Sequence, residues 1–163
     1  MTIGQKGNAN VIQMAANKGL DILRNFCFEN DISFLHDGTF GNYKTMRELI
    51  KKSISRQRAV HIYYLYLDPL RAWEFTKARE HLEGRNIEKD KFIEQFFRSR
   101  ENVDRIKKEF GNKVEIHCVL KNRSNEVEDI VFDQPNIDQF LEVQYNKGII
   151  KKYAYDELVR LID

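Results

Sequence analysis

Val60-His61-Ile62-Tyr63-Tyr64-Leu65-Tyr66-Leu67-Asp68-Pro69 is the stretch that sets the fold of this chain. Its β-branched and aromatic residues form a nearly continuous run, closed by a carboxylate and a proline. Strands covered by helices on both sides read as unbroken apolar runs, whereas strands with one wet face alternate. The run therefore predicts a strand of a parallel sheet, buried on both faces. Asp68 suits a helix N-cap and Pro69 the first helical position. A helix is expected to follow as far as Leu82 and to stop at Gly84.

Upstream, Ile12, Ala15, Ala16, Leu20, Leu23 and Cys27 recur at three- and four-residue steps and predict a helix over 8–28. A short strand is expected over 32–36, ending in Asp37. Asn42 then caps a helix whose apolar stripe is Met46, Leu49, Ile50 and Ile54. Downstream, a long helix from about Ile87 to Phe110 carries Phe92, Ile93, Phe96, Val103, Ile106 and Phe110 on one side. Gly111-Asn112 ends it, and Val114 to Leu120 alternates as a strand. A weaker strand at 129–132 precedes two short helices, at about 136–146 and 154–162. This order predicts an α/β sandwich with a mostly parallel sheet and right-handed crossovers. No linker or repeat interrupts it, so residues 1–163 read as a single domain.

The bulk composition narrows the function. Of 163 residues, 42% are hydrophobic and 32% charged, which is the balance of a globular protein. With 27 Lys and Arg against 25 Asp and Glu, the charge is too even to mark a nucleic-acid binder. The apolar run at 60–67 is too short to cross a bilayer. The N-terminus carries Lys6 and Lys18 without the continuous apolar core of a signal peptide. A cytoplasmic protein without membrane contact is expected. Cys27 and Cys118 sit in apolar contexts and read as reduced, buried thiols. The histidines at 36, 61, 81 and 117 show no ligand spacing with those cysteines, so no metal site is expected.

Phe34-Leu35-His36-Asp37-Gly38-Thr39 is the most suggestive functional stretch. Ligands bind at the carboxyl ends of strands in open α/β sheets, and Asp37 would stand at such an end. Gly38 and Thr39 would shape the turn after it, while His36 would pack into the core. Arg79 and Arg85 bracket a predicted helix end, where guanidinium forks suit phosphate. Arg98, Arg100, Arg105, Lys107 and Lys108 are interleaved with Glu101, Asp104 and Glu109 and read as a solvated helix face. Asn42 and Lys44 read as a helix cap and a solvated lysine.

Four features together give the run from about Asn8 to Asn122 a family likeness. They are Asp37-Gly38-Thr39-Phe40 after a strand; the strand at 60–67 with Asp68-Pro69; Arg79 with Gly84-Arg85; and the long helix centred on Arg98-Ser99-Arg100-Glu101-Asn102-Val103. In order and spacing the chain resembles the later part of zeta-toxin-type kinases. The resemblance implies a P-loop-kinase-like three-layer fold using ATP and Mg2+. It also implies phosphorylation of a small-molecule hydroxyl, as on nucleotide sugars such as UDP-N-acetylglucosamine. Asp37, Gly38 and Thr39 would hold the substrate, and Arg79 and Arg85 would face the triphosphate and stabilise charge during transfer. An antitoxin, or an upstream complementing chain, is the partner implied.

The chain departs from that pattern at its start. Residues 1–36 hold only Gly4, Gly7 and Gly19, and no Gly-x-x-x-x-Gly-Lys-Ser/Thr loop to cradle phosphates. The expectation is a C-terminal portion of such a kinase, with the first strand, the phosphate loop and the catalytic base upstream of Met1. Little turnover by this chain alone follows from that reading. The alternative is a non-catalytic remnant that binds a protein or a nucleotide. The last 30 residues carry no likeness.

Overall fold

The computed structural model describes residues 4–83 and 86–162. The chain divides into two compact units, 1–37 and 38–163.

The first unit is one long helix, α1 (Gly4–Glu29), and the segment that leaves it. Asp31 adopts a left-handed φ of 52°, which ends the helix, and the Ile32 N–H donates to the Cys27 carbonyl at 2.9 Å. Phe34 then folds back edge-on to Phe28, with ring centroids 5.4 Å apart. The strand expected at 32–36 does not form: these residues are irregular, and His36 is exposed rather than packed in a core. A strand needs a neighbour for its N–H and C=O groups, and none of the described strands pairs with this segment. Along α1, Leu20 and Leu23 of the expected apolar stripe are exposed.

The second unit opens on the irregular residues 38–42. Its elements are then α2 (Tyr43–Ser55), β1 (His61–Tyr66), α3 (Pro69–Glu83), α4 (Lys89–Phe110), β2 (Glu115–Lys121), β3 (Val127–Val131), α5 (Ile137–Asn146) and α6 (Tyr155–Leu161). Local chemistry explains the boundaries. The Asn42 side chain accepts from the Thr45 N–H at 3.1 Å, and Asp68 Oδ1 accepts from the Leu70 and Arg71 N–H groups at 3.0 and 3.3 Å. Gly111, at φ 57°, closes α4, a conformation that costs glycine little.

The three strands lie in the order β1-β2-β3. β1 and β2 run parallel, with His61 opposite Glu115 and Tyr63 opposite His117. β2 and β3 run antiparallel, so the sheet is mixed rather than mostly parallel. The reason lies in 122–126, where Asn122 Oδ1 accepts from the Ser124 and Glu126 N–H groups at 2.9 and 3.0 Å and bends the chain straight back. Such a tight return can join only antiparallel strands.

One sheet face carries the core. Ile62, Tyr64, Tyr66, Ile116, Cys118 and Leu120 pack there with Ile50 of α2, Val103 and Ile106 of α4, and Phe140 and Leu141 of α5. Burial pushes the Cys118 thiol up to about 12, so it is an inert packing group; neither cysteine is in a disulfide, and Cys27 is only partly buried. A second cluster joins Trp73, Ile93, Leu158 and Ile162, and brings the unassigned C-terminal residues into the fold. Lys89 Nζ closes that cluster by donating to the Val159 and Ile162 carbonyls at 3.2 and 2.8 Å.

The expectation that β1 is buried on both faces is corrected. Its burial alternates, with His61, Tyr63 and Leu65 exposed. The β preference of a residue depends on the face and neighbours it meets, so composition alone cannot tell a covered face from an open one. Among the described residues, no helix is long and apolar enough to cross a membrane.

Candidate functional site

The start of α2 and the middle of α4 meet around one polar contact. Asn102, on α4, is 4% exposed, and its Nδ2 donates to the Phe40 carbonyl at 2.9 Å. Phe40 holds a left-handed φ of 57°, unusual for a bulky residue, while its ring packs against the core. The Gly41 N–H donates to Thr39 Oγ1 at 3.4 Å. Asn102 therefore fixes the loop that leads into the Asn42 cap.

Arg98 and Arg105 lie one turn to either side of Asn102 on the same stripe of α4. Together with Gly41, Tyr43 and Lys44 they line an open cleft of about 450 Å3. The Arg105 guanidinium lies over the Tyr43 ring, 3.8 Å from its centroid. The Tyr43 hydroxyl donates to Glu109 Oε2 at 2.5 Å, and Arg47 grips the same carboxylate at 2.6 Å. Those hydrogen bonds, Arg47 first and Tyr43 second, hold the Glu109 carboxyl below its usual range. The same carboxylate raises the Tyr43 hydroxyl above its usual value. Glu109 is thus committed to Arg47, and Tyr43 is a fixed platform under Arg105.

Arg98 pairs with Glu94 at 2.6 Å across an exposed helix turn. Such a pair contributes little and is easily redirected. Among the described residues no carboxylate lines the cleft, whose three charged side chains are all cationic. That arrangement can take an anion, by forked hydrogen bonds from arginine and a point charge from lysine.

The residues singled out from the sequence fall as follows. Asp37 is exposed at the end of the first unit, and Gly38 and Thr39 open the second. Arg79 is exposed on α3 and is not among the residues lining the cleft. Arg85 lies outside the described residues. In sequence Lys44, Arg98 and Arg105 have the pattern of solvated side chains, and Asn102 is legible only as part of the family-like helix. Their signal was the spacing 98, 102, 105, which places two arginines and an amide on one helix stripe.

A second polar feature is structural. Asp104 accepts from the Ile137 and Asp138 N–H groups at 2.5 and 3.1 Å, seating the start of α5 on α4. Burial raises its carboxyl above the usual range despite those bonds.

The fold and the cleft define an α/β protein equipped to hold an anion. The family model described as Zeta toxin matches residues 1–133, and the chain belongs to that family, whose chemistry is kinase-like. Among curated proteins, none matches the chain.

Proposed function

We propose that this chain serves ATP-dependent phosphoryl transfer to the hydroxyl of a small molecule that itself bears phosphate. The cleft of Lys44, Arg98 and Arg105 seats that phosphate. The observation that carries this reading is the convergence of three cationic side chains on a cleft that no carboxylate of the described residues lines. Phosphoryl transfer is mostly positioning plus neutralisation of charge, and this set supplies both. Asn102 holds the loop whose residues form the opposite wall.

The family likeness adds roles for other residues. Asp37, Gly38 and Thr39 contact the acceptor, for which a nucleotide sugar such as UDP-N-acetylglucosamine is the chemical class. Arg79 and Arg85 neutralise charge on the transferred group. The cleft fits a phosphate-bearing group, but among the described residues that line it no carboxylate is placed to hold Mg2+. Since residues 1–163 contain no Gly-x-x-x-x-Gly-Lys-Ser/Thr, turnover requires a phosphate cradle from outside them. Binding without turnover is the behaviour expected of these residues alone.

Calorimetric titration of UDP-N-acetylglucosamine, and separately of ATP, into the purified chain tests the reading. Saturable binding that weakens about tenfold or more in Arg98→Ala/Arg105→Ala supports it, a loss of about 1.4 kcal/mol. Equal affinity in the two proteins refutes it. Asp37→Asn and Arg79→Ala/Arg85→Ala, titrated in parallel, test the roles implied by the family.

A second reading, a non-catalytic module that binds a partner such as an antitoxin, draws on the exposed apolar side chains Tyr63, Leu65, Ile130 and Phe132. Concentration-dependent association in sedimentation velocity, abolished by Leu65→Lys, would favour it.

A further inference from the structure

On the face of the sheet opposite α2, α4 and α5, where β1 and β2 begin, three side chains converge that sequence spacing kept apart. His61 stands opposite Glu115 in the parallel register, and His117 lies two residues further along β2, on the same face. His61 Nδ1 is 3.1 Å from His117 Nε2 and 3.2 Å from Glu115 Oε2, and the third side of the triangle, His117 Nε2 to Glu115 Oε2, is 3.7 Å. Two imidazole nitrogens and a carboxylate oxygen at bonds of about 2.0–2.1 Å to a tetrahedral zinc ion would lie about 3.3–3.4 Å apart. Two sides of the observed triangle fall just short of that edge length and the third exceeds it by about 0.3 Å.

We propose that His61, Glu115 and His117 form a binding site for a divalent transition-metal ion of the zinc type. The donor set selects for such an ion: imidazole suits zinc, copper and nickel, whereas calcium and magnesium take oxygen ligands. Three protein ligands leave the fourth tetrahedral position open, the pattern of sites that hold a water or an incoming donor. The site is built from two strands held in register, so the ligand backbone is rigid. Tyr63 and Phe132 wall in the His117 ring, at centroid distances of 4.7 and 5.2 Å. His117 is 3% exposed, while His61 and Glu115 reach solvent and give the ion its entry path.

The protonation pattern shows what loading requires. The Asp133 N–H donates to His117 Nδ1 at 3.2 Å, so in the neutral, ion-free ring the proton sits on Nε2, 3.1 Å from His61 Nδ1. Ligation through Nε2 moves that proton to Nδ1 and releases the Asp133 amide. The ion therefore clips the first residues of β1 and β2 together, and its arrival is felt at Asp133.

Titration of Co2+ and Zn2+ into tag-free, metal-stripped protein tests the site. One equivalent of Co2+ should give the intense visible absorption of tetrahedral coordination, and Zn2+ should displace it. Zn2+ should also shift the Asp133 amide resonance. His61→Ala and Glu115→Gln change exposed side chains and leave the fold intact, as circular dichroism should show. Each should weaken Zn2+ by about tenfold or more, since even a residue that only supports a ligand is worth that much. His117→Ala should abolish binding, but the exposed pair carries the test because His117 is buried. Absence of stoichiometric binding, or an affinity unchanged by His61→Ala and Glu115→Gln, would overturn the proposal.

Discussion

Ile62, Tyr64, Tyr66, Ile116, Cys118 and Leu120 on one face of the sheet are each 9% exposed or less, while Tyr63 and Leu65 on the other stand at 51% and 57%. The same two strands supply both faces, since successive side chains point to opposite sides. The covered face meets α2, α4 and α5 and carries the stability of the second unit. The other face is open along β1 but buried at His117 and Val119 of β2, and it holds His61, Glu115 and His117 side by side. Along β1 a single residue step separates the packed face from the exposed one, whereas β2 is buried on both faces from Ile116 to Leu120. α4 makes the same division around its circumference. Val103 and Ile106 face the sheet, while Arg98, Asn102 and Arg105 face the α2 start.

Substitutions ranked by expected effect can break or sharpen this contrast. Ile116→Ala, at 0% exposure on the covered face, should cost about 2–5 kcal/mol in chemical denaturation. Leu65→Ala, on the open face of the neighbouring strand, should stay within about 0.5 kcal/mol. Similar losses at the two positions would show that the open face is covered in solution. Asn102→Ala should come next, at about 1–3 kcal/mol, because it strands the Phe40 carbonyl. That variant should also weaken ligand binding at the cleft, through release of the 39–42 loop. Asn42→Ala should cost about 1 kcal/mol as a lost N-cap.

The smallest effect is a pH dependence. The Asp104 carboxyl is raised above its ordinary value of 3.8 by burial. A raised carboxyl contributes stability that is complete below the ordinary value and is lost as pH rises through the folded one. The stability of the wild type relative to Asp104→Asn should therefore fall as pH rises across that interval, measured by denaturant midpoints. A relative gain with rising pH would show that the Ile137 and Asp138 hydrogen bonds outweigh burial.

Much of the second unit was legible because its signals are local. The Asn42 and Asp68 caps, the Pro69 helix start and the Gly111 stop each depend on residues within one turn, and each appears where expected. The residues at 32–36 failed for the opposite reason. An apolar run can only offer a strand, and whether a neighbour accepts it is decided elsewhere in the chain. The β3 direction was written in Asn122-Arg123-Ser124-Asn125, a turn that the strand pattern alone did not weigh.

The sites were less legible than the elements. Arg98 and Arg105 sit among acidic residues in sequence, and only the side of α4 that meets Phe40 separates them from their neighbours. His61 and His117 are 56 positions apart and match no ligand spacing, yet the pairing of His61 with Glu115 brings them within 3.1 Å. Register is a tertiary property, and no motif announces it.

The central claim is that the anion site lies where α2 begins against the middle of α4. Backbone amide shift mapping with UDP-N-acetylglucosamine addresses it most directly. The account predicts the largest perturbations at Gly41, Lys44, Asn102 and Arg105, saturating along one binding curve. Saturable binding whose perturbations leave those four residues unmoved would contradict it.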